Sequence, residues 1–362
     1  MLEKIHAFLA AKPKTKAKTI ASALGINRAE LNRLLHEHKD RFEQDEAFRW
    51  SNRRAARHIE FGGRSWLTSA NFDRAFSGVS PLLSSDDAIV LVLKDDVKPM
   101  LAFIARLLAL CNQLVAAGKH VTLNFEGSKK ALSYLNRVGF FNVLDPAIEV
   151  LPQRPSGELS KTYQGNNDGV IELKLIDPAA PDETIPMLLR KSLVSCAGKS
   201  YSTLAFTVLA ELFSNVVDHA DASSHGFAGL QFYPKGRKIQ AVISDNGLGI
   251  VGTLAPVVPD KYPKVAIKMA KAEHAGVALL TEVFTRGGLS QVNETGRGLG
   301  LKRSGDIAEK FKAIIYVRQS DFELRVYHEH DGVNFDSVLD LPYLAGTHIC
   351  FEFKLDAPQP SD

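Results

Sequence analysis

Three short motifs in a fixed order constrain this chain more than any other feature: Glu211-Leu-Phe-Ser-Asn215-Val-Val-Asp-His219, Asp245-Asn-Gly247-Leu-Gly249, and Gly296-Arg297-Gly298-Leu299-Gly300-Leu301. The apolar stretch 204–209 continues through Leu212, Phe213, Val216 and Val217 with helical spacing, which predicts one helix. Steps of four residues overshoot a turn by only about 40°, so Glu211, Asn215 and His219 share a face. Ile239, Ala241 and Ile243 alternate with Lys238, Gln240 and Val242, which predicts a strand over 237–244 that ends at Asp245. The third motif opens a helical stretch, 299–311, with Leu301, Ile307, Ala308 and Phe311 as its apolar positions.

Each motif has a chemistry and a plainer reading. An acid and an amide one turn apart suit Mg²⁺, a hard cation that takes oxygen ligands shared with waters and phosphates. The same residues also make an ordinary solvated helix face, and His219 reads as a capping or packing residue at the helix end. A carboxylate at a strand end, Asp245, can accept a hydrogen bond from the adenine amino group, with Gly247 and Gly249 allowing a sharp turn and close approach. That pattern is equally a plain Asn-Gly turn. Glycines ahead of a helix present backbone N–H groups and a favourable partial charge to an anion such as phosphate, with Arg297 and Lys302 adding side-chain charge.

Taken in order and spacing, the motifs resemble the GHKL superfamily, the ATP-binding fold shared by DNA gyrase, mismatch-repair ATPases, sensor histidine kinases and anti-sigma-factor serine kinases. The resemblance spans residues 185–356 and extends to Gly346-Thr347, which is similar to the start of that family's closing strand. It implies a C-terminal α/β-sandwich (Bergerat) domain, with ATP and Mg²⁺ as ligands. Carried over by position, Asn215 is the Mg²⁺ ligand, Asp245 the adenine contact, and Gly247 and Gly249 line the base. Gly296, Gly298 and Gly300, with the backbone of Leu299 and Leu301 and the charges of Arg297 and Lys302, hold the phosphates. Thr347 backs Asp245 through a hydrogen bond or water. Glu211 orients or deprotonates the nucleophile, a role that matters because phosphoryl transfer depends mainly on positioning and charge neutralisation. The segment at about 250–295 takes the place of the ATP lid. It contains Pro256, Pro259 and Pro263, a helix expected from Lys264 to Thr285, and Arg286-Gly-Gly288. It reads as a moving cover or as a static insertion.

The net charge of +3 conceals an asymmetry: residues 1–57 hold thirteen Lys/Arg against seven Asp/Glu, and the remainder is net acidic. Helices are expected at 2–11, 17–24 and from Arg28 to about Phe42, with a turn at Gly25-Ile-Asn27. The spacing of Ile20, Leu24, Ile26, Leu31, Leu34 and Leu35 resembles a helix-turn-helix or winged-helix module. In such a module Arg28, Asn32 and Arg33 would enter the major groove of DNA. Lys12, Lys14, Lys16 and Lys18, with Arg53, Arg54 and Arg57, would contact phosphates. Winged helices also serve as protein contacts.

Residues 58–151 alternate as a small α/β domain: strands at 88–93, 121–125 and 148–151, helices at 97–117 and 129–141. The stretch 121–140 resembles the STAS domain of anti-sigma-factor antagonists. On that alignment Ser133 takes the phosphoacceptor place, although Leu132 replaces the usual preceding acidic residue, and Ser128 reads as a helix N-cap. A Pro/Gly/Ser/Asn-rich stretch at 152–168 opens a linker running to 184. The expected organisation is therefore α+β and multidomain.

Cys111, Cys196 and Cys350 are widely spaced and form no CxxC pair, which argues against a disulfide framework and fits a reducing cytoplasm. No secretory signal is expected from the lysine-rich N-terminal stretch, and the apolar run 100–118 carries Arg106, Asn112 and Gln113, so a buried helix is expected there and no membrane span. Residues 150–205 contain no histidine, which argues against an autophosphorylating sensor kinase. Three classes remain: an ATPase switch that changes the association of ATP domains, for instance in a homodimer, and repositions the N-terminal module on DNA or protein; an anti-sigma-type serine kinase; and a non-hydrolysing ATP-sensing transcription regulator. The presence of Glu211 favours the first.

Overall fold

The computed structural model describes residues 1–39, 41–52, 56–63, 66–76, 78–156, 168–219, 225–286, 289, 313–329 and 332–355. The chain divides into two compact units, one of Met1–Arg57 with Asp86–Ala88, the other of His58–Ser85 with Ile89–Asp362.

The first unit comprises α1 (Leu2–Ala11), β1 (Thr15–Lys16), α2 (Ala17–Leu24), α3 (Arg28–Glu37), β2 (Phe42–Gln44) and β3 (Arg49–Asn52). The antiparallel sheet has order β1-β3-β2, pairing Thr15 with Trp50 and Phe42 with Asn52. Ile5, Leu9, Ile20, Leu31, Leu35, Phe42 and Trp50 form its core. The Asn27 side chain accepts from the Ala29 N–H at 2.8 Å, satisfying a helix-start donor of α3. Expected to reach Phe42, α3 stops at Glu37, because Phe42 turns its ring into the core and its backbone into the sheet.

The second unit begins with β4 (Ala56–Phe61), β5 (Trp66–Leu67), α4 (Ser69–Ala75), β6 (Ala88–Leu93), β7 (Lys98–Pro99), α5 (Leu101–Ala116), β8 (His120–Asn124), α6 (Lys129–Arg137), α7 (Phe140–Val143) and β9 (Glu149–Leu151). A four-stranded sheet runs β4-β6-β8-β9. The helix expected from 97 starts only at Leu101, because Lys98–Pro99 pairs with Trp66–Leu67. The one expected over 129–141 is broken at Gly139. Ser128 stands at the N-cap of α6 but its hydroxyl makes no capping bond, which corrects its expected role; it is fully buried.

There follow β10 (Val170–Ile176), α8 (Ile185–Ala197), α9 (Ser202–His219), β11 (Gly226–Tyr233), β12 (Lys238–Ser244), α10 (Gly249–Leu254), α11 (Val258–Lys261), α12 (Pro263–Lys271), α13 (Ala275–Arg286), β13 (Ile314–Ser320), β14 (Phe322–Glu329), β15 (Gly332–Val338) and β16 (Leu344–Lys354). A seven-stranded antiparallel sheet has order β10-β11-β12-β16-β13-β14-β15. Its first strand comes from the segment read as linker.

Alternation decides what each face of this sheet meets. Ile239, Ala241 and Ile243 of β12, with Ile349, Phe351 and Phe353 of β16, pack under α8, α9 and α13. On the opposite face, Val242 and Cys350 join the core built around α5. That helix is buried nearly all round because it packs on β8 and also on β12 and β16. It holds no free charge: Arg106 pairs with Asp73 of α4 and Glu323 of β14, and Arg318 of β13 lies 3.5 Å from Asp73. Among the described residues no helix is long and apolar enough to cross a membrane.

The helix expected from Lys264 to Thr285 is two, α12 and α13, interrupted at 272–274. His274 is the cause. Its ring packs against Phe322 at 4.6 Å between centroids, and its Nδ1 accepts from the Val277 N–H at 3.2 Å, starting a new helix.

Candidate functional site

The site is built where β12 and β16 end side by side. Ser244 pairs with His348, so Asp245 emerges opposite Thr347. Its N–H donates to the Thr347 carbonyl at 2.9 Å. The half-buried carboxylate is then held by two backbone donors: Gly247 N–H to Oδ1 at 2.9 Å, and Thr347 N–H to Oδ2 at 3.2 Å. Alternation along β12 puts Asp245 on the same face as Ile243, the face under the helices.

Two glycines make this approach possible. Gly346 has φ +85°, and a Cβ there would fall 2.1 Å from the Asp245 carbonyl oxygen. Gly249 has φ +71°, and its Cβ would meet the Gly346 carbonyl oxygen at 2.8 Å and Gln319 Oε1 at 3.0 Å. Both positions thus exclude other residues because backbone meets backbone. For Gly249 this protein contact is already enough to require glycine.

Thr347 does more than support the carboxylate. Its hydroxyl accepts from the Ile250 N–H at 3.2 Å and from Gln319 Nε2 at 2.8 Å, while Gln319 Oε1 accepts from the Val251 N–H at 3.0 Å. The first turn of α10 is thereby tied to β13 and β16. Gln319 was not visible as a site residue in the sequence. It is significant only because register places it directly opposite Thr347.

On the other face, Gln113 of α5 donates to Asn246 Oδ1 and to the Ala345 carbonyl, both at 2.9 Å, and accepts from the Ala345 N–H at 2.9 Å. Asn246 also donates to the His225 carbonyl at 3.1 Å. His348 is buried, and its Nε2 donates to the Ala345 carbonyl at 2.8 Å. Burial pushes its pKa down to about 3, assisted by the Arg318 and Arg106 charges, so it is neutral.

Glu211 and Asn215 lie on α9, the first half-buried and the second exposed. The neighbouring Val216 fixes this helix against the strands: a Cβ on Gly226 would fall 2.4 Å from Val216 Cγ1 and 2.6 Å from the Ser244 carbonyl oxygen. The glycine lets α9 approach the sheet beside the residue preceding Asp245. Of His219 only the backbone is described. Gly296, Arg297, Gly298, Leu299, Gly300, Leu301 and Lys302 lie outside the described residues. Ser133 is exposed on α6.

Comparison of the chain with protein-family models, with curated proteins and with solved structures finds no match.

Proposed function

We propose that residues 185–356, within the second unit, are a GHKL-type Mg-ATP-binding domain, and that the protein is an ATPase-driven conformational switch. The observation that carries this reading is the Asp245 carboxylate, fixed at a strand end by one backbone N–H on each oxygen. An ionised carboxylate can only accept, so its position suits a donor such as the adenine amino group. Support also comes from the antiparallel run β11-β12-β16-β13 beneath α9, with the motif residues at adjoining ends of β12 and β16.

The donors on α9 fit Mg²⁺. Asn215 offers an exposed amide oxygen, and a cation that keeps most of its waters and binds phosphates needs few protein ligands. When bound, the cation neutralises phosphate charge. Glu211, one turn earlier on the same helix, orients the attacking water.

In this reading the four-stranded layer with α5 and α6 is STAS-like, and the first unit is a winged helix whose order of three helices and antiparallel β1-β3-β2 sheet suits that module. Lys12, Lys14, Lys16 and Lys18 are all exposed and would meet phosphates of DNA, whereas Arg33 of α3 is engaged by Glu37 at 3.1 Å.

The test is incubation with γ-labelled ATP and Mg²⁺ followed by separation of free phosphate from labelled protein. Free phosphate is expected. Label on the protein or on an added partner would instead make it a kinase, for which exposed Ser133 is the first position to map, and bound ATP left intact would make it a sensor.

A further inference from the structure

We infer that Gln319 is a positioning residue that selects adenine over guanine by fixing the Thr347 hydroxyl as a hydrogen-bond donor toward the bound base; this rests on the ATP reading above. The orientation of the Gln319 amide follows from its neighbours. A backbone N–H can only donate, so the atom 3.0 Å from Val251 N is the amide oxygen, and the atom 2.8 Å from the Thr347 hydroxyl is therefore the NH₂ group. Thr347 Oγ1 then receives two donors, from Gln319 and from the Ile250 N–H. A hydroxyl has two acceptor lone pairs and one proton. With both lone pairs engaged, only the proton remains to be offered.

The same residue, Thr347, gives its backbone N–H to Asp245 Oδ2 at 3.2 Å, part of a carboxylate that can only accept. Asp245, Thr347 and Gln319 share the helix-covered face of the sheet, because β12, β16 and β13 are in direct register there. An acceptor next to a donor complements adenine, whose edge presents an amino group beside the N1 acceptor. Guanine presents a carbonyl beside an N1–H, the opposite polarity. Gln319 is fully buried, and no other described group donates its side-chain N–H to Thr347.

Replacing Gln319 by Glu keeps the shape and the acceptor for Val251 but puts a second acceptor against Thr347, so the hydroxyl turns its proton away from the base. The test compares binding of ATP, GTP and 1-deaza-ATP, which lacks the N1 acceptor, by calorimetry. Wild-type protein is expected to bind ATP about 3- to 10-fold more tightly than 1-deaza-ATP, the range of one net hydrogen bond, and to disfavour GTP. In Q319E, and in T347V, which lacks the hydroxyl, the ratio of ATP to 1-deaza-ATP affinity should fall to about one. A merely structural role would weaken both ligands together and leave the ratio unchanged. Q319L, which removes the donor without adding an acceptor, should also lower the ratio and serves if Q319E does not fold. An unchanged ratio in a folded Gln319 variant overturns the inference, and so does a wild-type ratio of one. Failure of the wild-type protein to bind ATP at all overturns the nucleotide reading itself, and this one with it.

Discussion

Gln113 and Asn246 are joined at the α5 face of the seven-stranded sheet by a 2.9 Å hydrogen bond from the amide of a buried helix to the loop that follows β12. Gln113 also makes two bonds to Ala345, just before the glycine that touches Asp245, so one side chain holds both chain segments that shape the site. The helix α5 thus touches the site from behind, through the sheet ends, and any shift of α5 must move them. Gln113→Leu is expected to leave the Ala345 N–H and carbonyl without this partner, at about 1–3 kcal/mol for a buried polar group. Urea unfolding should report that loss, and ATP affinity should fall with it. Full stability together with unchanged affinity would show that the bridge neither supports nor reaches the site.

A second prediction concerns Arg106, whose guanidinium serves Asp73 and Glu323 in an interior from which all three are nearly excluded from water. Burial opposes the charge on Glu323, but Arg106 and Arg325 hold its carboxyl below the usual range. Removing the cation leaves two buried carboxylates with less compensation. Arg106→Met should cost about 3–5 kcal/mol, as breaking a buried pair does. Replacing Asp73 and Glu323 by apolar residues in the same protein should recover part of it, although Arg318 and Arg325 then lose a neighbour. Equal destabilisation of the single and triple variants in urea would mean that packing, and not charge, sets the effect.

These two residues also show where sequence reasoning runs out. The helices at 2–11 and 17–24 were legible to the residue, because amphipathic periodicity is local. The buried strand Lys238–Ser244 and the carboxylate after it were legible for the same reason. Strands of two to four residues, such as Thr15–Lys16 and Phe42–Gln44, are too short to show alternation and exist only through distant partners. Arg106 and Gln113 read as interruptions of an apolar run; what they bind lies 133 to 232 positions away for Gln113 and 217 for Glu323. Gln319 acquires its place only from register with Thr347, and His274 breaks a helix by a ring contact with Phe322, neither of which leaves a mark on its own neighbours in the chain.

The third prediction is a pH dependence of stability that His348 contributes. His348 is buried beside Arg318 and Arg106, and its pKa lies at about 3 in the folded protein, below the roughly 6.5 of an unfolded histidine. Its folded-state pKa is depressed, so the unfolded chain binds the extra proton first. Its contribution is therefore fully present above pH 6.5 or so and is lost as pH falls toward 3, by about 1.4 kcal/mol per pH unit. Carboxylates held below their ordinary pKa add their own loss only nearer to pH 4, and Glu172, pushed up by burial, acts in the opposite sense, so the histidine is read from the difference between wild type and variant over about pH 6 to 5. His348→Gln, which can still donate toward the Ala345 carbonyl, should flatten the dependence of unfolding free energy on pH in that interval. A slope identical to wild type would place the titrating group elsewhere.

The last prediction separates the two polar positions of α9. Glu211 is half-buried and Asn215 is exposed one turn later, so the same helix face offers one sheltered carboxylate and one open amide. A sheltered carboxylate that orients a water affects the rate of phosphoryl transfer more than nucleotide binding, and loss of such a group costs about 10²–10⁴-fold. Glu211→Gln keeps the shape and removes the charge; it should reduce phosphate release by that order while ATP affinity stays within about threefold. An exposed amide oxygen that ligates Mg²⁺ acts on binding instead. Asn215→Ala should weaken ATP binding in Mg²⁺ and leave the weaker binding measured in excess chelator unchanged, because without the cation the amide has nothing to hold. Titrations with and without Mg²⁺, paired with phosphate release at saturating ATP, place each residue. If Asn215→Ala weakens binding equally with and without the cation, the amide contacts the nucleotide or the fold and is not a metal ligand. If Glu211→Gln turns over at the wild-type rate, α9 presents an ordinary polar face and the chemistry belongs to other residues.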